Sequence, residues 1–468
     1  MEQPLSRLAT FDFVERRRVQ EIAELRYREL LKYEHAMPPA HASVTVFLCD
    51  RDPIQWMAGF IAACSVPCEL FLCNPDWGET EWKQVFELAQ PTLIWGEPRF
   101  VEGLENRPLN PPKLGDFECR EFPDFKVPQN EGFRVLKPTE AQHKALLIMI
   151  PTGGTSGKIR FAIHTWNTLT ASVQGFRQYF ELDRINSFCV LPLYHVSGLM
   201  QLMRSLLTNG TFTLQSWKNL NTDFDPQNFF ISLVPTQLQQ LMPHADWLAK
   251  FRTILLGGAP AWSNLLEDAR LKHLPIAPTY GMTETASQIA TLKPAAFLKG
   301  VQGCGQVLPH AEITIAHQKL LIRSKSLMLG YYPNLDQPET FEPDDLGYFD
   351  EQNYLHLIGR DSNKIISGGE NIFPAEVESA IRSTNLVRDI HVLGIPDEIW
   401  GQSVTAIYVP DDATVTFEEI KTALKSHLTS FKIPKRWIAV AQIPRSLQGK
   451  IQRHRIEAIL DLHKRSHS

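Results

Sequence analysis

The chain has 468 residues with a hydrophobic fraction of 43% and a charged fraction of 21%, ordinary values for a globular protein of more than one domain. A net charge of −5 argues against nucleic-acid binding and against attraction to an acidic membrane surface. The seven cysteines lack C-x-x-C spacing, which favours reduced thiols over disulfides or zinc. The N-terminal stretch MEQPLSRLATFDFVERRRVQ has no apolar core of a signal peptide, so we expect a cytoplasmic protein without stable membrane insertion.

The first regular elements alternate between strand and helix patterns. Residues 43–48 (SVTVFL) and 68–72 (CELFL) are short apolar runs typical of buried strands, and residues 52–63 between them have a helical pattern. This alternation predicts an α/β fold with a parallel sheet. The weakly charged run over residues 54–68 is too short to span a bilayer, so we interpret it as a buried helix that leads into a strand.

A glycine-rich loop follows the next predicted strand, residues 145–150 (ALLIMI). It is not a Walker A motif, because Thr152 stands where that motif has its first glycine and Ile159 where it has its magnesium-binding hydroxyl. Its glycines can still turn several backbone N–H groups toward one anion, and its lysine adds a positive charge. The alternative is a mobile surface turn. The candidate phosphate-binding residues are Thr152, Gly154, Thr155, Ser156, Gly157 and Lys158.

Three more elements are predicted farther along the chain. Residues 197–207 have the pattern of an amphipathic helix, and Arg204 lies off the centre of its apolar side. Residues 253–258 (TILLGG) indicate a buried strand that ends in glycines, and residues 345–360 indicate a hairpin with a polar turn. The region beyond Arg360 has about one hundred residues, which is a usual size for a domain.

Four further motifs carry a resemblance to a known family. They are LLGGAPA (residues 255–261), TYGMTETAS (279–287), DDLGYFD with GRDSNKIISGGENIFPAEVE (344–350 and 359–378), and PRSLQGKIQR (444–453). In this order, over nearly the whole chain, they resemble the adenylate-forming superfamily, which includes acyl-CoA synthetases, luciferases and the adenylation domains of peptide synthetases. Any one motif alone is weak, whereas GMTET, SGGEN and a late GK together are specific.

The resemblance implies a large N-terminal domain of α/β sheets with flanking helices (residues 1–359) and a small, mobile α+β domain (residues 360–468). It also implies that a carboxylic acid attacks ATP, which gives an acyl-adenylate and pyrophosphate, before CoA takes up the acyl group. Both reactants of the first step are anions, so cations and oriented donors must offset their repulsion. The implied cofactors are ATP, Mg²⁺ and CoA.

The resemblance also assigns roles to the nucleotide site. Thr283 would bind phosphate, and Glu284 would hold Mg²⁺ through a hard oxygen ligand; a solvated carboxylate at a helix end is the alternative for Glu284. Asp345 would accept hydrogen bonds from the ribose, with Asp344 as a second candidate, and Arg360 would contact ribose or phosphate. The other nucleotide- and CoA-binding candidates are Gly257, Gly258, Ala259, Pro260, Thr279, Tyr280, Gly281, Met282, Gly368 and Gly369.

The resemblance also implies roles for Tyr280 and Lys450. Tyr280 would stack on the adenine base, with ordinary core packing as the alternative. Lys450 would supply a catalytic cation where the carboxylate meets the α-phosphate, with a solvated surface lysine as the alternative. By resemblance, the small domain rotates about Arg360 between the two half-reactions, so that Lys450 leaves the site and residues 367–371 enter it.

The motifs LPLYHVSGLMQLMRSLL, LVPTQL and TYGMTETASQIATL narrow the resemblance to o-succinylbenzoyl-CoA synthetases of menaquinone and phylloquinone biosynthesis, with a cyanobacterial character. Their substrate, o-succinylbenzoate, has a second, aromatic carboxylate that needs a polar or cationic partner. The candidates are His195 and Arg204, with Gln288, Thr291 and the turn at residues 303–305 completing the pocket. The alternatives are a loop-ordering role for His195 and, for Arg204, a guanidinium that stays in water.

The sequence leaves two other functions open. One is a different aryl- or acyl-CoA synthetase of the same superfamily, which a panel of acids would distinguish. The other is a nucleotide-binding relative without ligase activity, against which the late lysine, Lys450, argues. The sequence also leaves open whether the chain forms a homodimer.

Overall fold

A computed structural model describes residues 15–36, 44–98, 145–153, 158–445 and 451–465. The chain divides into two compact units. The first comprises Met1–Trp166 with Leu329–Asp336, and the second comprises Asn167–Met328 with Gln337–Ser468. Four sequence-predicted residues of the phosphate loop and the predicted catalytic lysine lie outside the described residues: Gly154, Thr155, Ser156, Gly157 and Lys450.

The first unit is built on a five-stranded sheet with the strand order β3-β1-β2-β4-β5. All neighbours are parallel except β4 and β5, which form an antiparallel hairpin. The strands are β1 (Val44–Leu48), β2 (Cys68–Leu72), β3 (Leu93–Trp95), β4 (Leu147–Gly153) and β5 (Ile159–His164). The helices are α1 (Arg16–Ala36), α2 (Pro53–Ala63) and α3 (Glu79–Leu88). The β1-α2-β2 unit confirms the predicted α/β alternation.

Helix α2 begins where the sequence predicts because two local signals coincide there. The carboxylate of Asp52 accepts a hydrogen bond from the backbone N–H of Ile54 at 2.9 Å, and Pro53 occupies the first helical position. Strand β4 runs three residues past the predicted end at residue 150. The reason is the antiparallel pairing with β5, in which Thr152 lies opposite Arg160.

The largest sheet of the second unit has seven strands in the order β12-β11-β10-β9-β8-β6-β7. Strands β7, β6, β8, β9 and β10 are parallel, and β11 and β12 extend the sheet in antiparallel fashion. The strands are β6 (Asn186–Cys189), β7 (Phe212–Leu214), β8 (Phe229–Leu233), β9 (Thr253–Leu256), β10 (Ile276–Met282), β11 (Ser287–Thr291) and β12 (Gln306–Val307). The predicted strand at residues 253–258 thus ends at Leu256, where the glycines begin.

Six helices belong to this part of the chain. They are α4 (Trp166–Phe180), α5 (Val196–Leu207), α6 (Pro235–Leu241), α7 (Ala245–Leu248), α8 (Ser263–Leu271) and α9 (Pro294–Leu298). Short 3-10 turns lie at Trp217–Asn219, Met242–His244 and Thr283–Thr285. Helix α5 confirms the predicted helix at residues 197–207, and almost all of it is buried.

An antiparallel sheet with the order β13-β14-β15-β16 follows. Its strands are β13 (Ala311–Ala316), β14 (Lys319–Ser324), β15 (Asp345–Phe349) and β16 (Leu355–Arg360). Strands β15 and β16 form the predicted hairpin. Its turn is held by the carboxylate of Asp350, which accepts hydrogen bonds from the backbone N–H groups of Gln352 and Tyr354.

The last part of the chain forms a sheet of its own with the order β18-β17-β20-β19, and β21 pairs with β20. Its strands are β17 (Ile365–Ser367), β18 (Glu370–Ile372), β19 (Val387–Asp397), β20 (Gly401–Pro410) and β21 (Arg436–Ala439). Its helices are α10 (Pro374–Ser383), α11 (Phe417–Leu424) and α12 (Arg453–Arg465), with 3-10 turns at Asp361–Asn363 and Ser430–Lys432. Strands β17 to β20 share a buried apolar core with α10 and α11, as the α+β prediction requires. A boundary at residue 360 and the mobility of this region stay predictions.

Candidate active site

Three candidate nucleotide-binding residues, Tyr280, Asp345 and Arg360, lie together. Asp345 and Arg360 are opposite each other on β15 and β16, and the Nε of Arg360 donates to Oδ1 of Asp345 at 3.1 Å. The hydroxyl of Tyr280 on β10 donates to the other carboxylate oxygen at 2.8 Å. Burial and the adjacent carboxylate raise the pKa of Tyr280, which keeps its hydroxyl a donor. Asp345 is therefore held in one orientation from two sides.

The neighbouring carboxylate, Asp344, faces other partners. It is exposed, and it accepts hydrogen bonds from the backbone N–H and the hydroxyl of Ser362. Its carbonyl oxygen accepts from the N–H of Asp361 at 2.8 Å. Asp344 thus holds the segment just beyond β16, whereas Asp345 faces Tyr280. This difference favours Asp345 as the nucleotide-binding carboxylate, which stays a prediction.

The predicted adenine slot follows the carboxyl end of β9, beside the parallel strand β10. A side chain on Gly257 would place its Cβ 2.5 Å from Oγ1 of Thr279, and Gly258 has a φ of +80°, so both positions favour glycine. Gly258, Ala259 and Pro260 are exposed. Tyr280 is buried in an apolar cluster with strands β11, β13 and β14, as the core-packing alternative expects, so stacking on adenine stays a prediction.

The TET turn between β10 and β11 is tightly held. The side chain of Thr285 accepts from the N–H of Met282 at 3.1 Å and donates to the carbonyl of Ser287 at 2.7 Å. Ala286 and Ser287 then have φ values of 49° and 90°, which are strained for residues other than glycine. Glu284 is only 7% exposed, so the alternative of a solvated carboxylate is wrong. The sequence-predicted phosphate and metal residues, Thr283 and Glu284, are thus placed by a rigid turn.

Arg204 on α5 is a deeply buried charge. It is 2% exposed, which excludes the alternative of a guanidinium in water. Its Nη2 donates to Oγ of Ser287 at 3.1 Å and to Oε1 of Gln288 at 2.9 Å, and its guanidinium lies 4.2 Å from the ring centre of Phe176. Within the described ranges no carboxylate pairs with it, and its Nε has no hydrogen-bond partner.

The electrostatics around Arg204 follow from its burial. Burial lowers the pKa of Arg204 to about 9, so the side chain stays charged at neutral pH. The contacts supply neutral oxygens and a π face but no compensating negative charge. A buried charge is normally paired with an opposite charge, and Arg204 is therefore suited to an anionic ligand.

Two other sequence-predicted acid-binding residues extend this cluster. The side-chain amide of Gln288 donates to Oγ1 of Thr291 at 3.2 Å, and the carbonyl of Thr291 accepts from the hydroxyl of Tyr179 at 2.5 Å. The turn at residues 303–305 packs on the same strand, because a Cβ on Gly305 would lie 2.0 Å from the carbonyl oxygen of Thr291. Arg204, Gln288 and Thr291 therefore lie together.

His195 occupies a different position. It is the residue before α5, partly buried, and its ring centre lies 4.7 Å from that of Tyr194. Its carbonyl oxygen accepts from the N–H groups of Gly198 and Leu199, so its backbone begins the helix that carries Arg204. This arrangement fits the loop-ordering alternative, and a catalytic or substrate role for His195 stays a prediction.

The sequence does not predict two residues of the Arg204 cluster, Ser287 and His310. The sequence indicates no role for Ser287 beyond its place after the TETA motif, yet its side chain accepts a hydrogen bond from Arg204. His310 is 7% exposed, and burial together with the charge of Arg204 lowers its pKa to about 4. Spacing along the chain predicts neither residue. Arg204 and Ser287, for example, are 83 positions apart, and they meet only because α5 packs on β11.

The phosphate loop belongs to the first unit, whereas the other described candidates belong to the second. Thr152 lies in β4 opposite Arg160, and Lys158 is exposed at the start of β5. The N–H of Ile159 donates to the side chain of Gln84 at 3.0 Å. The guanidinium of Arg160 lies 4.2 Å from the ring centre of Tyr331. The phosphate-binding role stays a prediction.

The SGGEN segment forms the turn between β17 and β18. Gly368 and Gly369 have φ values of +62° and +86°, which favour glycine. The N–H of Gly368 donates to the carbonyl of Trp400 at 2.9 Å, and a Cβ on Gly368 would lie 3.0 Å from the indole. The glycines are therefore required by the turn itself, and their contact with pantetheine stays a prediction.

Comparison with known protein families identifies the family of this chain. The model of the AMP-binding enzyme family matches residues 40–332, and that of the AMP-binding enzyme C-terminal domain matches residues 376–450. The chain belongs to the AMP-binding enzyme family. The resemblance to adenylate-forming enzymes is thus confirmed. Among the described residues of this AMP-binding enzyme, no helix combines the length and apolar composition needed to cross a membrane.

Two curated relatives are both 2-succinylbenzoate–CoA ligases. The protein from Listeria monocytogenes is 33% identical over 326 residues, which cover 65% of this chain and 68% of the relative. The protein from Bacillus licheniformis is 32% identical over 415 residues, which cover 83% and 84%. Among solved structures, the o-succinylbenzoate CoA synthetase (MenE) from Bacillus subtilis in complex with the acyl-adenylate intermediate OSB-AMP has the same fold. Its TM-score is 0.79 at 23% identity, with 98% of each chain covered.

Proposed function

We propose that this AMP-binding enzyme is a 2-succinylbenzoate–CoA ligase. It converts o-succinylbenzoate, ATP and CoA into o-succinylbenzoyl-CoA, AMP and pyrophosphate, a step of menaquinone biosynthesis. The observation that carries the choice of acid is the buried guanidinium of Arg204, which has no carboxylate partner in the described part of the chain. A cation of this kind requires an acid with a second negative charge, which simple fatty acids and benzoate lack.

The Arg204 cluster fits the benzoate end of the substrate. The guanidinium of Arg204 is positively charged and can donate a charge-assisted hydrogen bond to a carboxylate oxygen. The side chains of Ser287 and Gln288 fix the guanidinium on one edge, and its Nε remains available on another. The succinyl carboxylate, at the other end of the substrate, then points toward the nucleotide.

In the first half-reaction, an oxygen of the succinyl carboxylate attacks the α-phosphorus of ATP, and the α–β bridging bond breaks to release pyrophosphate. Asp345, held by Tyr280 and Arg360, positions the ribose. Glu284 is the residue that would hold Mg²⁺, because a buried carboxylate suits this ion, and the ion would supply positive charge against the phosphates. No group of three potential metal ligands occurs in the described residues.

In the second half-reaction, the thiolate of CoA attacks the acyl carbonyl, and AMP leaves. CoA and the catalytic cation need the same space, so we propose that the small domain turns between the steps and takes Lys450 away from the adenylate. Lys450→Ala should therefore abolish formation of the acyl-adenylate from acid and ATP, and should spare thioester formation from preformed acyl-adenylate. Similar losses in both half-reactions would contradict the domain rotation.

The experiment that tests the function is an acid panel. Pyrophosphate release is measured with o-succinylbenzoate, with β-benzoylpropionate (the same molecule without its aromatic carboxylate), with benzoate and with a medium-chain fatty acid. We expect kcat/KM to be highest for o-succinylbenzoate, and roughly ten- to a hundredfold lower for β-benzoylpropionate, because one charge-assisted interaction is lost. A preference for benzoate or the fatty acid would instead support a different acyl-CoA synthetase. Adenine-nucleotide binding without pyrophosphate release from any acid would support a non-catalytic relative.

Three further points stay proposals. A cytoplasmic location follows from the cysteine usage, and light scattering of the purified enzyme tests whether it forms a homodimer. The cyanobacterial character of the motifs would make phylloquinone the end product, which the quinone content of a deletion strain would test.

A further inference from the structure

A second buried polar side chain, His310, lies beside Arg204 and has no part in the mechanism described above. It precedes β13, and its carbonyl oxygen accepts from the N–H of Lys325 at 3.1 Å and from the hydroxyl of Ser324 at 3.0 Å. These bonds fix the backbone of His310 to the end of β14. The residue is therefore placed by a rigid sheet rather than by a loose loop.

The imidazole ring is seated on helix α4 by a glycine. A Cβ on Gly175 would lie 1.8 Å from Nδ1 of His310, 2.5 Å from its Cγ and 2.8 Å from its Cε1. Any residue other than glycine would displace the ring. The ring of the next residue of the helix, Phe176, packs against the guanidinium of Arg204. One turn of α4 thus supports both the imidazole and the guanidinium.

Both nitrogens of this ring lack a hydrogen-bond partner within the described residues, although the side chain is 93% buried. Burial, and then the positive charge of Arg204, lower the pKa of His310 to about 4. The ring is therefore neutral at pH 7, with one N–H donor and one acceptor nitrogen. Buried polar atoms are nearly always satisfied in native proteins, and Nε of Arg204 is a third unsatisfied nitrogen in the same cluster.

Two unsatisfied donors, the imidazole N–H of His310 and Nε of Arg204, together with one uncompensated positive charge call for a single ligand that is an anion with several acceptor oxygens. We propose that His310 is a second anchor for the acid substrate, and that its imidazole N–H donates a hydrogen bond to the aromatic carboxylate that Arg204 neutralises. This inference rests on the proposed function, because it names a further residue that selects o-succinylbenzoate over acids without the aromatic carboxylate.

The test compares two substitutions at His310 with two acids. His310→Phe keeps the ring and its apolar volume but removes both nitrogens, whereas His310→Gln keeps a donor. The acids are o-succinylbenzoate and β-benzoylpropionate, and His244→Phe, at an exposed position, is the matched control. For His310→Phe we expect the KM for o-succinylbenzoate to rise about ten- to a hundredfold. The KM values for ATP and β-benzoylpropionate should not change, and His310→Gln should restore most of the loss.

The outcomes separate this inference from the proposed function. If wild-type enzyme does not use o-succinylbenzoate at all, the proposed function itself fails. If wild-type enzyme uses it, and His310→Phe changes the KM for both acids by the same factor or for neither, His310 does not contact the aromatic carboxylate. Melting curves of both variants show whether they fold. If His310→Phe fails to fold, the phenotype of His310→Gln decides: wild-type discrimination supports the proposal, and lost discrimination contradicts it.

Discussion

Replacing Arg204 by methionine should weaken substrate binding without weakening the fold, which is an unusual pair of effects for a buried residue. Burial lowers the pKa of Arg204 from 12.5 to about 9, which corresponds to about 5 kcal/mol of unfavourable free energy for the charged form. Its two hydrogen bonds and its contact with Phe176 return about 1 kcal/mol each. The free enzyme therefore has a net cost of about 2 kcal/mol at this position.

Arg204→Met removes the buried charge and keeps an unbranched apolar chain of similar length against Phe176. It also leaves the oxygens of Ser287 and Gln288 without their donor, which costs part of the gain. We expect the melting temperature without substrates to stay at the wild-type value or to rise by a few degrees. Arg252→Met, at an exposed position, is the matched control.

The same variant should bind the acid poorly. We expect the KM for o-succinylbenzoate to rise about ten- to a hundredfold, and the KM for ATP to stay unchanged, because one charge-assisted pair to the aromatic carboxylate is lost. Arg204→Lys keeps the charge but not the planar guanidinium, so its KM for o-succinylbenzoate should lie between those of the wild type and Arg204→Met. Steady-state kinetics with each substrate varied, together with thermal melting, measures both effects. A lower melting temperature with equal losses for acid and ATP would mean that Arg204 is structural.

Three other changes test the nucleotide site and the C-terminal region. Glu284→Gln should lower the rate of pyrophosphate release at saturating Mg²⁺ at least a hundredfold while the fold stays intact, and a near-wild-type rate would refute the metal role. Tyr280→Phe removes the donor to one oxygen of Asp345 and should raise the KM for ATP about fivefold, without affecting that for the acid. Burial raises the pKa of Asp389, but the hydrogen bonds and charges of Arg445 and Arg382 lower it by more, so its stabilising effect is complete above about pH 4 and disappears as the pH falls through the lowered pKa. Asp389→Asn should therefore lower the melting temperature at pH 7 by several degrees and much less at pH 3; an equal loss at both pH values would contradict this account.

The sequence predicts best what depends on neighbours along the chain. Helix α2 begins after Asp52 and Pro53 because a cap and a proline act within a few residues, and β1 and β2 are apolar runs that fit a parallel sheet. The hairpin of β15 and β16 follows in the same way from its polar turn. In each case the signal and the structure occupy the same few residues.

The Arg204 cluster is less predictable, because its contacts join residues far apart in the chain. The helical pattern of α5 places Arg204 off the centre of the apolar face, and that pattern alone allows an exposed guanidinium. Burial is decided by β11, which brings Ser287 and Gln288 against the helix. His310 depends even more on packing, because its ring fits only where α4 has a glycine at position 175.

One short stretch of backbone in the second unit connects Tyr280, a candidate nucleotide-binding residue, with Gln288, a candidate acid-binding residue. On β10, Tyr280 reaches Asp345 through its hydroxyl, and the next residue, Gly281, lies opposite Gln288 on β11. The pairing of the two strands shifts between these two positions, and a Cβ on Gly281 would lie 2.1 Å from the carbonyl oxygen of Ser287. The strands can therefore approach closely enough to hold Tyr280 and Gln288 in fixed register only because this residue has no side chain. Under the proposed function, the attacking carboxylate must meet the α-phosphate within a fraction of an ångström, and the bulge at Gly281 then fixes the relative position of the residues proposed to bind the two reactants.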